Sequence, residues 1–195
     1  MSQSDSKEQT KKSARLEARA RRAVAHRQGN EAAGIALRDN YLGALDNHDA
    51  SLRIVAGYWP MGDEIDVRPL LEALADKGAP LALPAIDEES LVFRAWNPGD
   101  VLAAGPLGTR EPTGENLSGP PNTILVPLLA FDGDGYRLGY GKGYYDQALA
   151  KIPDRSKVRV VGVAYTAQEV EKLPRDNWDQ PLDWIVTESG AKAFR

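Results

Sequence analysis

Cysteine is absent from this chain, so neither a disulfide nor a thiolate-bound metal can contribute to its fold or chemistry. Histidine is scarce: His26 and His48 stand in separate polar stretches with no ligand-spaced partner, and a zinc site is not expected. No apolar run approaches the ~20 residues that span a bilayer. The opening Met1-Ser2-Gln3-Ser4-Asp5 is too polar for a secretion signal. These absences lead to the expectation of a cytoplasmic protein with no membrane partner. An excess of positive charge is also missing. The net charge of −4 argues against bulk nucleic-acid binding but leaves small anionic ligands open. Internal repeats and low-complexity tracts are lacking, and 195 residues suffice for one domain with a sizeable core.

What is present begins with helix formers. Residues 1–10 are polar and aperiodic and are expected to be disordered, with a single domain over 11–195. From Lys11 to Arg27 the chain is mostly Ala, Arg, Lys, Leu and Glu, and the composition predicts a helix. Lys11, Arg15, Arg19 and Arg22 share one face of it. That face is either solvated or reaches over to an anion. A second helix is expected from Glu31 to about Leu45, before an Asn47-His48-Asp49 turn.

Strands are expected at Arg53–Tyr58, Leu81–Pro84, Leu91–Trp96 (an edge), Ile124–Val126, Val158–Ala164 and Trp184–Val186. Helices are expected at Asp66–Lys77, stopped by Gly78, and at Gln168–Leu173. The alternation predicts an α/β fold with a mainly parallel sheet and helices on both faces. In such sheets, loops at the carboxyl ends of strands bind ligands, which draws attention to Trp59-Pro60-Met61-Gly62-Asp63-Glu64. Residues 97–122 have many Gly and Pro and no period. They form a long loop of the kind that covers a site, with Thr109-Arg110-Glu111-Pro112 its most chemical portion.

The densest chemistry lies between Ile124 and Leu149. Pro127 ends the strand that starts it, and Asp132-Gly133-Asp134-Gly135 is turn-forming. Gly139, Gly141 and Gly143 then alternate around Lys142, just before Tyr144-Tyr145-Asp146 and a helix through Leu149. Side-chain-free backbone beside a lysine, leading into a helix start, suits a phosphate. A glycine-rich hairpin tip with no ligand is the plainer reading. The spacing matches neither a Walker A loop nor G-x-G-x-x-G, and the acidic turn lacks the ligands of a calcium loop.

Pro127-Leu128-Leu129-Ala130-Phe131-Asp132, followed by Arg137-Leu138-Gly139-Tyr140-Gly141-Lys142-Gly143-Tyr144-Tyr145-Asp146, resembles the signature of the 5-formyltetrahydrofolate cyclo-ligase family, also called 5,10-methenyltetrahydrofolate synthetase. The resemblance extends through most of the chain in order. Lys11-Lys12-Ser13-Ala14-Arg15 looks like the family's basic N-terminal motif, with Ala14 where leucine is more common. Tyr58–Asp66 is similar to its folate-contacting segment, and Gly108–Pro112 to the loop before the signature. Trp178-Asp179 and Asp183 resemble a C-terminal His-Asp pair and a later Asp, with Trp178 replacing the histidine.

The resemblance implies a three-layer α/β/α sandwich similar to ribose-phosphate isomerase and CoA transferases. It also implies the ATP- and Mg²⁺-dependent closure of 5-formyltetrahydrofolate to 5,10-methenyltetrahydrofolate. In that picture Lys142, Arg137 and Tyr144 are catalytic. ATP is held by Lys11, Lys12, Ser13, Ala14, Arg15 and the run Arg137, Leu138, Gly139, Tyr140, Gly141, Lys142, Gly143, Tyr144, Tyr145. The reduced folate is held by Trp59, Glu64, Tyr140, Gly141, Lys142, Gly143 and Tyr144, and Mg²⁺ by Asp146 and Asp179. A monomer is expected. Two alternatives stand beside this: a non-catalytic relative that binds folate or nucleotide, and an ATP-dependent ligase for another amide-like substrate.

Overall fold

The computed structural model describes residues 3–45 and 53–194. The expected turn at Asn47-His48-Asp49 lies outside them. The first element is one long helix, α1 (Gln3–Leu45), bent at Gly29, where φ is 155° and ψ 57°. The two helices expected at 11–27 and 31–45 are therefore halves of one element. A glycine lacks the Cβ that would forbid this backbone, so the chain can break its helical path for one residue. The helix also takes in Gln3–Thr10, most of the stretch expected to be disordered. Ala33, Leu37, Tyr41 and Leu45 recur every fourth residue and are buried, which fixes the second half to the core.

Five parallel strands form the centre of the molecule: β1 (Val55–Ala56), β2 (Leu81–Asp87), β6 (Thr123–Pro127), β9 (Arg159–Val163) and β11 (Trp184–Thr187). Antiparallel strands β3 (Ser90–Ala95) and β12 (Gly190–Ala193) close the two edges. The order is β12-β11-β9-β6-β1-β2-β3. β12 follows the strand that was expected to be the last. Pro84 lies within β2 but beyond Ala82, the last residue of β2 that pairs with β1, so its missing N–H breaks no ladder on that side.

The sheet alternates its cores residue by residue. Val55, Leu125, Val161 and Val186 join Leu37 and Tyr41 of α1 and Leu70, Leu71 and Leu74 of α2 (Arg68–Asp76). Ala56, Ile124, Val126, Val160 and Ile185 face the other way, onto Leu149 of α3 (Tyr144–Ala150). These are the three layers, and period-two burial on two faces explains why the central strands are apolar throughout.

Two expectations change. Gln168–Leu173 is not a helix: a single 3₁₀ turn over Thr166–Gln168 leads into β10 (Glu169–Val170), which pairs with β7 (Ala130–Asp132). The buried Gln168 side chain donates to the Leu128 and Leu129 carbonyls and accepts from Tyr165 N–H, tying this segment down in place of helical bonds. The 97–122 loop has structure of its own, a ribbon of β4 (Leu102–Ala104) and β5 (Arg110–Pro112). β7 also pairs with β8 (Arg137–Leu138) around the acidic turn. There the fully buried Asp132 carboxylate accepts from the N–H groups of Asp134, Tyr136 and Leu173 and from Arg175, so it organises the turn. Among the described residues no helix is long and apolar enough to cross a membrane.

Candidate active site

From β1 the chain crosses to β2 on one side and later to β6 on the other. Strand order reverses between β1 and β6, and in open α/β sheets ligands bind outside the carboxyl ends of strands at such a point. A cleft opens there. It has two lobes, of about 650 Å³ and about 950 Å³.

The smaller lobe is the more apolar. Tyr58 and Trp59 reach it from the end of β1, Pro84 and Ile86 from β2, and Leu107 and Thr109 from the β4–β5 ribbon. Tyr140, Tyr144 and Tyr145 form its far side. Trp59 meets Trp96 edge-on, with ring centroids 6.1 Å apart, and the Arg68 guanidinium lies 5.5 Å from its ring centre, so the indole is held on two sides. The Tyr145 hydroxyl is buried and has no hydrogen-bond partner among the described residues. An orphaned buried hydroxyl costs about 1–3 kcal/mol, which a ligand able to pair with it would recover.

A charged network floors this lobe. Glu64 is 3% exposed; its Oε2 accepts from Met61 N–H at 2.8 Å and its Oε1 from the Tyr140 hydroxyl. Arg22, itself buried, donates to the same Tyr140 oxygen and to Asp63, and stands 3.8 Å from Glu64. Burial pushes the Glu64 carboxyl above its ordinary range, against the pull of Tyr140, Met61 N–H and Arg22. Burial likewise raises the Tyr140 hydroxyl.

A pH dependence follows. A carboxyl raised on folding adds stability below the ordinary Glu value of about 4.3 and loses it as pH rises through the raised value. Glu64→Gln should therefore gain on the parent as pH rises through that window, measured by thermal unfolding from pH 4 upward. A gap that stays constant with pH would show that Glu64 titrates alike in both states.

The larger lobe is the more polar of the two. Glu8, Lys11 and Arg15 border it from α1, and Asp146, Gln147 and Ala150 from one face of α3. The turn Asp176–Gln180 closes it. Lys11 Nζ donates to Asp176 Oδ2 at 2.7 Å and to Asp179 Oδ2 at 2.9 Å. Burial works to lower the Lys11 ammonium, but the two carboxylates outweigh it and the net displacement is upward. Arg15 donates to the Gly139 carbonyl at 3.1 Å.

The glycine loop separates the lobes, and Gly139, Lys142 and Gly143 line both. Gly141 and Gly143 have φ of 105° and 69°, which an L side chain rarely adopts, and a Cβ on Gly141 would press within 3.3 Å of the Arg15 guanidinium. Lys142 is exposed and has no ion pair among the described residues.

The structure distributes the predicted site residues unevenly. Lys11, Arg15, Trp59, Glu64, Gly139, Tyr140, Gly141, Lys142, Gly143, Tyr144, Tyr145, Asp146 and Asp179 all line the cleft. Arg137 lines it too, but its guanidinium is 4% exposed and donates to the Gln180 carbonyl and to Asp146 Oδ1. It is a brace for Asp146 rather than a free cation. Leu138 lines the polar lobe but is a core residue, 3% exposed. Lys12 and Ser13 are exposed and border neither lobe, and Ala14 packs against the buried cluster of Ala18, Leu129 and Leu138. Helical geometry explains this: Lys11 and Arg15 are four residues apart on one face, and the three between them turn away. Arg19 and Arg22 continue that face along the apolar lobe. Asp176 was not singled out as a site residue, and its pairing with Lys11 across 165 positions leaves no local signal in sequence.

The sequence pattern of the 5-formyltetrahydrofolate cyclo-ligase family matches residues 4–188. The chain belongs to that family. It is thus an enzyme of a ligase family that acts in folate one-carbon metabolism. An Escherichia coli protein named 5-formyltetrahydrofolate cyclo-ligase is 36% identical over 142 residues, 69% of this chain and 78% of that protein. The solution structure of Aquifex aeolicus 5,10-methenyltetrahydrofolate synthetase superposes with a TM-score of 0.79 at 33% identity, covering 95% of this chain and 93% of the other. A Mycoplasma pneumoniae 5,10-methenyltetrahydrofolate synthetase shares the fold, with a TM-score of 0.69 at 22% identity over 91% of this chain and 98% of its own.

Proposed function

We propose that this member of the cyclo-ligase family closes 5-formyltetrahydrofolate to 5,10-methenyltetrahydrofolate, with ATP and Mg²⁺, releasing ADP and phosphate. The observation that carries this reading is Lys142, without an ion pair among the described residues, on a glycine loop that walls both lobes. A phosphoryl transfer between two substrates needs such a junction: a cation and bare N–H groups where a pterin-sized apolar pocket meets a polar one.

In this reading the pterin enters between Trp59 and Tyr144, with Glu64 as the acceptor for its amine edge and the triphosphate in the polar lobe. The formyl oxygen attacks the γ-phosphorus, the bond to the β-bridging oxygen breaks, and ADP departs. The oxygen, a poor leaving group before, now carries phosphate. N10 then attacks the formyl carbon, its proton is lost, and the C–O bond breaks to release phosphate and leave the methenyl bridge. Little covalent chemistry falls to the protein, which positions the formyl oxygen and N10 and neutralises charge.

Asp146 and Asp179 suit Mg²⁺. Each has one oxygen occupied, by Arg137 and Gln180 N–H or by Lys11 and Asp176 N–H, and one without a hydrogen bond among the described residues. No cluster of three or more His, Cys, Asp or Glu able to hold a metal occurs among the described residues. That fits an ion held by one or two carboxylates, waters and substrate phosphates. When bound, it supplies charge neutralisation to the phosphates.

The test is to mix the protein with 5-formyltetrahydrofolate and follow methenyl absorbance in the near ultraviolet. Formation is expected only with ATP and Mg²⁺ together; a full rate without nucleotide refutes the mechanism. The same assay probes α1. Replacing Lys11 and Arg15 by Ala should raise the ATP KM far more than the folate KM, whereas side chains that only brace the Asp176–Gln180 turn and the Gly139 carbonyl would cost stability and leave the ATP KM no more affected than the folate KM.

A further inference from the structure

Trp178 is 68% exposed, yet it is not on an open surface: it borders the polar lobe, and it is the one aromatic side chain among the described residues that line that lobe. The turn that carries it is braced by hydrogen bonds. Asp179 N–H donates to the Asp176 carbonyl at 3.2 Å, and Asp176 N–H to Asp179 Oδ2 at 2.8 Å. Lys11 ties both carboxylates to α1, and the Gln180 amide holds the Trp178 carbonyl at 3.2 Å. The chain thus holds a large apolar ring at the mouth of a charged pocket from a braced turn. Ala150 and Gln147, successive on one face of α3, border the same lobe and supply a small apolar wall and an amide.

A nucleoside triphosphate has two ends that ask for opposite surfaces. Arg15, Lys142 and the glycine loop suit its phosphates. Its base needs a flat apolar partner, since every base has a π-face and stacks on aromatic rings regardless of its edge pattern. We propose that Trp178 is the platform on which the base of the nucleotide stacks, with the phosphates running inward to the glycine loop. The proposal rests on the nucleotide occupying the polar lobe. It makes Trp178 a binding residue with no part in the chemistry, and the braced turn means little ordering is needed on binding.

The experiment compares two ligands, MgATP and magnesium tripolyphosphate, by calorimetry on the full chain. Trp178→Ala should weaken MgATP about tenfold or more, the scale of losing one base–aromatic stack. It should leave tripolyphosphate unchanged, and Trp178→Phe should keep most of the ATP affinity. Because the ring is exposed, the melting temperature should barely move, which checks that the turn survives. Arg15→Ala is the companion variant and should weaken both ligands. If it does so while Trp178→Ala binds ATP like the parent, the base lies elsewhere and the proposal is overturned, but the triphosphate stays in the polar lobe. If Trp178→Ala loses both ligands equally, the residue is structural and the proposal also falls. If neither variant weakens either ligand, the placement of the nucleotide in this lobe is itself wrong.

Discussion

Lys142→Ala should leave a folded protein that binds 5-formyltetrahydrofolate nearly as the parent does and turns over about 10²–10³ more slowly. The lysine stands where the two lobes meet and has no ion pair among the described residues, so its removal orphans no buried group. In the mechanism proposed above its charge acts on the phosphoryl group in transit, where charge moves from the γ-phosphate toward the ADP leaving group. An interaction stronger in the transition state than with bound substrate lowers kcat when it is lost, not ground-state affinity. Steady-state kinetics with calorimetric folate binding checks this. Normal turnover would make Lys142 a surface lysine on a structural hairpin and would move the phosphates off the Gly139–Gly143 loop.

Arg22→Ala should cost about 3 kcal/mol or more in unfolding free energy. Arg22 is 4% exposed and faces the Tyr140 oxygen, Asp63 and, at 3.8 Å, the buried Glu64. Without the guanidinium, the Glu64 carboxylate keeps its desolvation and loses its nearest cation, the costliest way to break a buried pair. Much of the penalty is thus the orphaned charge, and neutralising it should return part of the loss. Arg22→Ala/Glu64→Gln is therefore expected to be more stable than Arg22→Ala alone, with urea unfolding as the measurement. If the effects of the two substitutions simply add, the pair is not coupled and Arg22 matters only through Asp63 and Tyr140. Because this network joins α1, the loop after β1 and the glycine loop, Arg22→Ala should also raise the folate KM.

Much of this architecture is local enough to read from the chain. The apolar runs at Ile124–Val126 and Val158–Ala164 read as buried strands, and they are the middle of the sheet. Leu70, Leu71 and Leu74 declared the buried face of α2. Gln168–Leu173 misled because it has residues compatible with a helix, while its true partner, Phe131 on β7, lies far off in sequence. Residues 3–10 misled in the same way, since polarity alone says nothing of a helix continued from the next segment. β12 is a short Gly-Ala-Lys-Ala edge with no apolar run to announce it, placed by pairing with β11.

By itself the sequence determined the chemistry available to this protein. Lys142 between glycines and the basic face of α1 are facts of composition and spacing, and no cysteine competes with them; Asp146, Asp179, Trp59 and Tyr144 gained their roles only through the family resemblance. The signature around Gly139–Gly143 likewise pointed to the family before any coordinate was known. Tertiary structure alone decided which of these groups meet. It placed Lys11 against Asp176 and Asp179 across the chain, turned Lys12 and Ser13 away, and engaged Arg137 with Asp146 and Gln180. It also split the cleft into an apolar and a polar lobe. The reason is physical: propensity and periodicity act over a few residues, whereas charge pairing and burial depend on distance in space. That distance is set by how α1, α3 and the Asp176–Gln180 turn converge at the end of the sheet.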